Sequence, residues 1–276
     1  MRRVIRLTSK SYRRWGTSWN VVLWTAGVLL LWEAFAWLIA DVWQLLAPAS
    51  KLPYLHLVLN AAVQYWPVLA EQGAITFGNT LLGFTIGSAV GFLLAVLMSL
   101  SRTLEHTLSP YMIASQMVPI IGLAPIIYGI VHDPALSRTL MSGYVTFFPV
   151  SLYTLRGLQS IRPEQEELMR SYAASTWTLY MKLKLQASLP GLFAGLKLSA
   201  PLAITASIIV ELMGAPNGIG VLMISSLYYG NAQVYMFWAT VLMSIAIGLL
   251  LLAAISMAER LITPWQPEFR SQGRDE

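Results

Sequence analysis

The sequence predicts an all-α, polytopic membrane protein with about six transmembrane helices, and three observations carry that expectation. Only 11% of the 276 residues are charged and 56% are hydrophobic, whereas a soluble domain carries about 25% charged residues. Apolar stretches near twenty residues long recur along the chain, and about 20 such residues cross a hydrocarbon core of about 30 Å as a helix. The positive charges, finally, gather in alternate segments between those stretches, as the positive-inside rule requires of a membrane protein.

The first stretch is Val21–Ala40, preceded by a basic flank and followed by Ala47-Pro48-Ala49. Its apolar block exceeds the 7–15 residues typical of a signal peptide, so a retained helix is expected. The second, Thr76–Leu100, carries Gly83, Gly87 and Gly91. That four-residue repeat gives one smooth helix face for close backbone approach, with a place on a translocation path as the other reading. The third, Pro110–Val131, is interrupted by Pro119, Gly122, Pro125 and Gly129. Pro149 and Pro201 fall inside the fourth, Leu136–Leu155, and the fifth, Gly191–Met213. Such breakers survive where neighbours or water re-satisfy the backbone. The sixth is Val234–Ala258.

With the amino terminus inside, the inner segments hold Arg2, Arg3, Arg6, Lys10, Arg13, Arg14, Arg102, Arg156, Arg162, Arg170, Lys182, Lys184, Arg260, Arg270 and Arg274; the outer ones keep Lys51 and Arg138. Both termini are then cytoplasmic. The net charge of +5 and pI near 9.5 reflect this orientation, and no nucleic-acid partner is expected. The chain divides into a basic segment 1–20, one transmembrane domain 21–265 with a cytoplasmic loop at about 160–190, and a tail 266–276. Between the outer ends, SKLPYLHLVLNAAVQYW reads as a surface amphipathic helix and VLMISSLYYGNAQ as a re-entrant or interfacial one.

Two acids lie inside spans, Glu33 and Glu211, and an intramembrane carboxylate is a functional candidate by default. Glu33 is open to a structural or a transport role. Glu211, followed by Gly214-Ala215-Pro216-Asn217-Gly218, either reaches the interface or lines the mouth of a path. Tyr144 and Phe148 are further candidates for the path, and Lys197 or Arg138 would favour an anion. Catalytic chemistry has no foothold. No lysine follows a glycine, so the phosphate loop of an ATPase is missing; there is no cysteine; and His56, His106 and His132 lack metal-ligand spacing. No catalytic, metal or cofactor site is expected.

The segment between the fourth and fifth spans is longer than a helical hairpin needs. Pro163-Glu164-Gln165-Glu166-Glu167 reads as a helix start, with proline early and acids at the positive end of the dipole. Ala173-Ala174-Ser175 interrupts it, and Trp177, Tyr180, Met181 and Leu185 resume a helical spacing. Two short helices joined by a small-residue turn follow, either lying on headgroups or forming a docking knob.

Here the sequence resembles the permease subunits of bacterial ABC importers, in the group for nitrate, taurine, aliphatic sulfonates and riboflavin or pyrimidine precursors. Their cytoplasmic loop carries EAA, three residues and G, then a run to a proline. Glu167 holds the glutamate position, Ala174-Ser175 follow the glycine position, Trp177 and Tyr180 take bulky positions, and Leu189-Pro190 closes the motif. The resemblance runs from about Gln72 to Trp265 and includes NTLLGFTIGSAVGFLLAVLMSLSR and GLFAGLKLSAPLAITASIIVELMGAPNGIG. Leu168, Met169, Ala173 and Gln186 depart from it, and alanine lacks glycine's free access to positive φ. The resemblance implies the type I importer fold in a bacterial inner membrane. Its implied partners are a dimer of ABC ATPase subunits, a second permease (a homodimer) and an extracytoplasmic substrate-binding protein. Coupling to the ATPase would fall to Glu167, Ala173, Ala174, Ser175, Thr176, Trp177 and Tyr180, and the outer mouth to the loops near His132 and Gly214–Gly220.

Overall fold

The computed structural model describes residues 15–229 and 233–266. The basic residues from Arg2 to Arg14, with Arg270 and Arg274, lie outside those residues. In order, α1 (Trp15–Trp37) runs into a π-helical turn (Leu38–Val42), followed by α2 (Pro48–Lys51), α3 (Leu55–Gln64), α4 (Trp66–Leu100), α5 (Arg102–Ser115), α6 (Ile120–Val131), α7 (Pro134–Leu158) and α8 (Pro163–Ser171). Then come α9 (Thr176–Leu179), a second π-helical turn (Tyr180–Lys184), α10 (Leu185–Leu212), α11 (Ile219–Tyr228) and α12 (Val234–Ile262). Among the described residues there is no strand.

Four helices are long and apolar enough to cross a membrane: Val22–Val42, Trp66–Leu100, Thr176–Leu212 and Val234–Ile262. The expected third span is not one helix. It is α5 and α6, bent by 93° across the break after Gln116, where Pro119 in extended backbone caps the start of α6. Taken together the pair makes a fifth crossing by length and composition. The expected fourth span, α7, has the length at 25 residues but is too polar to qualify. Packing gives the reason. Ser137, Ser142, Thr146, Ser151 and Thr154 are all fully buried, because α7 lies between α4 and α10.

Glycines set this arrangement. A Cβ at Gly83, Gly87 or Gly91 would strike the carbonyl oxygen of Thr139, Gly143 or Phe147 respectively. Both series advance together by four residues, so α4 and α7 are parallel and touch backbone to backbone. On the other side of α7 the order reverses. Gly157 faces Ser188, Gly191 faces Tyr153 and Gly195 faces Pro149, which makes α10 antiparallel. Small residues permit such approach where lipid offers no hydrophobic drive between helices. Three of the buried α7 hydroxyls bond to nearby carbonyls, Ser137 Oγ to Asp133 O at 2.7 Å, Thr146 Oγ1 to Ser142 O at 2.7 Å and Ser142 Oγ to Ala203 O at 3.0 Å, while those of Ser151 and Thr154 have no partner among the described residues.

Since α4 and α7 are parallel, the chain leaving α4 must travel their full length before α7 begins. The bent pair α5–α6 is therefore a broken crossing and not a re-entrant loop. At one end of the bundle, called here the loop end, Gln159 donates to Glu105 at 2.9 Å. At the other, the Arg138 end, the hydroxyl of Tyr128 in α6 donates to Gly214 O at 3.2 Å. The amphipathic helix expected before Trp66 is α3, with Val58 and Ala61 buried. Glu33, open in sequence to a structural or a transport role, packs against α3. It accepts from the backbone N–H of His56 at 3.0 Å and meets its ring at 3.1 Å, tying α1 to the first turn of α3.

Candidate functional site

Two regions carry the functional candidates, one at each end of the bundle. At the loop end, α8 starts with Pro163 and a side-chain cap, Gln165 Oε1 accepting from Arg162 N at 3.2 Å. It ends in a Schellman motif. The N–H of Ala174 donates to Met169 O at 3.1 Å and that of Ala173 to Arg170 O at 2.9 Å, which satisfies the last carbonyls of the helix. This closure needs a left-handed residue, and Ala173 supplies it at φ 55°. The position where the motif has glycine therefore retains glycine's conformation without glycine's ease.

Ser175 then caps α9, accepting from Thr178 N at 3.2 Å. The expected second short helix does not exist as a separate element. Thr176, Trp177 and Tyr180 open a helix that continues through the π-helical turn to Leu212. Two ion pairs brace the elbow. Glu166 accepts from Arg170 at 2.8 Å and lies 3.7 Å from Lys184 across the turn. The bond from Arg170, joined by the charge of Lys184, holds the Glu166 carboxyl below the usual glutamate range. Glu167, the expected coupling acid, is exposed and makes no ion pair among the described residues. Leu168, Tyr172 and Trp177 stand 58%, 79% and 72% exposed, an apolar patch on both sides of the turn.

At the Arg138 end, Glu211 does not reach an interface. It is buried together with Arg138, read from sequence as a loop cation but in fact on the second turn of α7. The two pair at 3.1 Å. Glu211 also accepts from Thr76 Oγ1 at 2.7 Å and from Gly220 N at 2.8 Å. Arg138 donates to Asn217 O at 2.8 Å and Asn217 Oδ1 at 3.0 Å. Gln72 accepts from Gly218 N at 2.7 Å and Thr76 from Ile219 N at 3.0 Å. Side chains of α4, α7 and α10 thus converge on the Gly214–Gly220 turn and cap α11. Gly218, at φ 118°, lies against the Glu211 carboxylate, where any Cβ would collide. Each charge is met by an opposite one or by backbone, as burial demands, while the Arg138 Nε is buried without a hydrogen-bond partner among the described residues.

The remaining candidates do not join either cluster. Gly214, at φ 112°, is exposed at the edge of the second one. Tyr144 is half-buried, donates to Ser115 O and stacks near Phe147. Phe148 packs on a separate apolar cluster around Met98 and Leu155. Lys197 does not stand free for an anion. It is paired with Glu259 and ties α10 to α12. Sequence reasoning missed Thr76, Gln72 and Asn217. The one available signal was that Glu211 and Arg138 are opposite charges at the same end of two spans.

Residues 83–264 match the family described as "Binding-protein-dependent transport system inner membrane component". The chain belongs to this family. Its relatives include the formylaminopyrimidine transport permease protein ThiX of Halalkalibacterium halodurans, 26% identical over 244 residues, covering 87% of this chain and 92% of ThiX. The riboflavin transport system permease protein RibX of Chloroflexus aurantiacus is 27% identical over 225 residues, 79% of this chain and 82% of RibX. Among solved structures, the MetNI methionine ABC transporter matches with a TM-score of 0.59 at 20% identity, over 72% of this chain and 98% of the other. That likeness speaks for the fold, which is the type I permease fold. This inner membrane component is an ABC transporter permease subunit. Such subunits are not catalytic themselves, and the family implies ATPase and substrate-binding partners.

Proposed function

We propose that this permease forms the translocation path of an importer and receives the work of ATP hydrolysis through the α8–Thr176 elbow. The carrying observation is the continuity of Thr176–Leu212. One helix of 37 residues, about 55 Å long at 1.5 Å per residue, starts at the elbow and ends at Glu211. Displacement of the elbow therefore acts directly on the Arg138 end. Glu167 and the exposed patch of Leu168, Tyr172 and Trp177 offer the ATPase a carboxylate beside an apolar surface. Ala173, Ala174, Ser175, Thr176 and Tyr180 shape the turn beneath it.

In this reading the loop end and both termini are cytoplasmic, in a bacterial inner membrane. Residues 21–265 are the permease domain, with 1–20 and 266–276 as tails. The complex holds two copies of this chain, two ATPase subunits and an extracytoplasmic binding protein. Glu211 acts on the path by holding the Gly214–Gly220 turn, with Tyr144 and Phe148 carried on α7 itself. The substrate is a small organic solute or anion, a reading supported by relatives named for formylaminopyrimidine, riboflavin, aliphatic sulfonates and nitrate. Because Arg138 and Lys197 are both committed to carboxylates, selectivity falls mainly to the binding protein.

Affinity capture of the chain from its own membranes is the deciding experiment. An ABC ATPase should co-purify, and Glu167→Lys or Ala174→Trp should leave membrane insertion intact while separating ATP hydrolysis from uptake. Uptake that persists with no ATPase bound would mean a secondary transporter or channel instead.

A further inference from the structure

Between the last turns of α4 and the start of the helix Thr176–Leu212 lies a cavity of about 460 Å³. Phe92, Val96 and Leu100 form one wall at four-residue intervals, and Trp177, Tyr180 and Met181 the other. The Tyr180 hydroxyl is turned away to Ser99 Oγ, at 2.7 Å, which leaves its ring to the groove. The wall on α4 extends about 12 Å back from the helix end, into a helix that spans the membrane. A soluble partner docking on the elbow cannot follow it to that depth, whereas a hydrocarbon chain in the bilayer lies alongside. The mouth has the opposite character. Arg102, two residues past the wall residue Leu100, and Lys182, next to Met181, are exposed and make no ion pair among the described residues.

We propose that this groove binds an acyl chain of an anionic phospholipid of the adjoining leaflet, with Arg102 and Lys182 meeting its headgroup. Basic pockets between transmembrane helices on the cytoplasmic side are suited to anionic headgroups, and the apolar slot beside them takes the chain. The proposal rests on the orientation given above, in which the loop end faces the cytoplasm. Trp177 and Tyr180 are shared between this groove and the elbow, so a bound lipid would sit against the element that couples the permease to its ATPase.

The test uses the full chain in phosphatidylcholine nanodiscs doped with phosphatidylglycerol that carries a photoactivatable acyl chain. Labelling should concentrate on peptides spanning 92–100 and 176–185. Val96→Trp, which fills the slot, should lower it roughly tenfold, while Val90→Trp, on the exposed face of the same helix, leaves it unchanged. The double variant Arg102→Glu with Lys182→Glu should abolish the preference for phosphatidylglycerol over an equally labelled phosphatidylcholine. Labelling indifferent to Val96→Trp, or spread evenly over the exposed faces of α1 and α12, overturns the site. So does labelling that disappears when the ATPase binds, since a protein then occupies the groove. Capture of the ATPase from the same preparation reports separately on coupling: capture without groove labelling removes the lipid site alone, and labelling without capture removes only the coupling reading.

Discussion

Glu211 and Arg138 show how a single residue's meaning depends on what it touches. Removing one partner of a buried ion pair leaves the other uncompensated, at a cost of about 3–5 kcal/mol. Glu211→Gln is therefore expected to lower the thermal midpoint sharply, and Arg138→Met with Glu211→Leu to recover much of the loss. A double-mutant cycle followed by melting in detergent measures this. Ala173 makes the complementary case. A left-handed non-glycine residue costs about 1–2 kcal/mol, so Ala173→Gly should stabilise the elbow, seen as slower hydrogen exchange across 163–184. Glu166 adds a pH dependence. Its folded pKa is depressed by the bond from Arg170. The bracing it provides is thus complete above the ordinary glutamate range and lost as pH falls through the lowered value. Hydrogen exchange of the elbow, corrected for intrinsic rates, should rise at that acid limb in the parent chain and not in Glu166→Gln.

At the scale of elements, the α4–α7 contact is governed by the absence of side chains. Gly87→Leu would drive a branched chain into the backbone at Gly143, and overpacking of this kind costs about 1–3 kcal/mol or more. Gly78, on the same helix with nothing within 4 Å, should accept alanine with a gain of up to about 1 kcal/mol. Comparing the yield and melting of the two variants separates a contact effect from a helix-propensity effect. The repeat of Gly83, Gly87 and Gly91 was legible because its period is that of a helix face. Its partners on α7 were not, since of Thr139, Gly143 and Phe147 only one is a glycine. The 93° break was likewise half legible: the prolines mark where a helix can bend, but the angle follows from what packs on either side.

The whole molecule poses the question of sidedness, and the chain is suited to answering it because it contains no cysteine. Lys51 and Glu164 are both exposed, on elements assigned to opposite faces. Lys51→Cys should react with an impermeant maleimide on intact spheroplasts, and Glu164→Cys only after the membrane is opened. The reverse pattern would invert the orientation and, with it, the assignment of the elbow to the cytoplasm. The continuous helix Thr176–Leu212 joins the elbow to the Arg138 end, which no inspection of the elbow or the Gly214–Gly220 turn by itself reveals.

The sequence by itself determined the class and most of the long helices, and it marked the charged segment with a small-residue turn between α7 and α10. Hydrocarbon selects for apolar length, helix faces for period, and membrane orientation for charge, and all three are written locally along the chain. Tertiary structure alone decided the fate of the charges and polar residues within the spans. Arg138, Glu211 and Lys197 showed no partner in the sequence because their partners are dozens of residues away. The sequence read α7 as a span, and only the fold shows that α4 and α10 cover its buried serines and threonines. Burial and pairing are properties of distance in space, and only the folded chain specifies them.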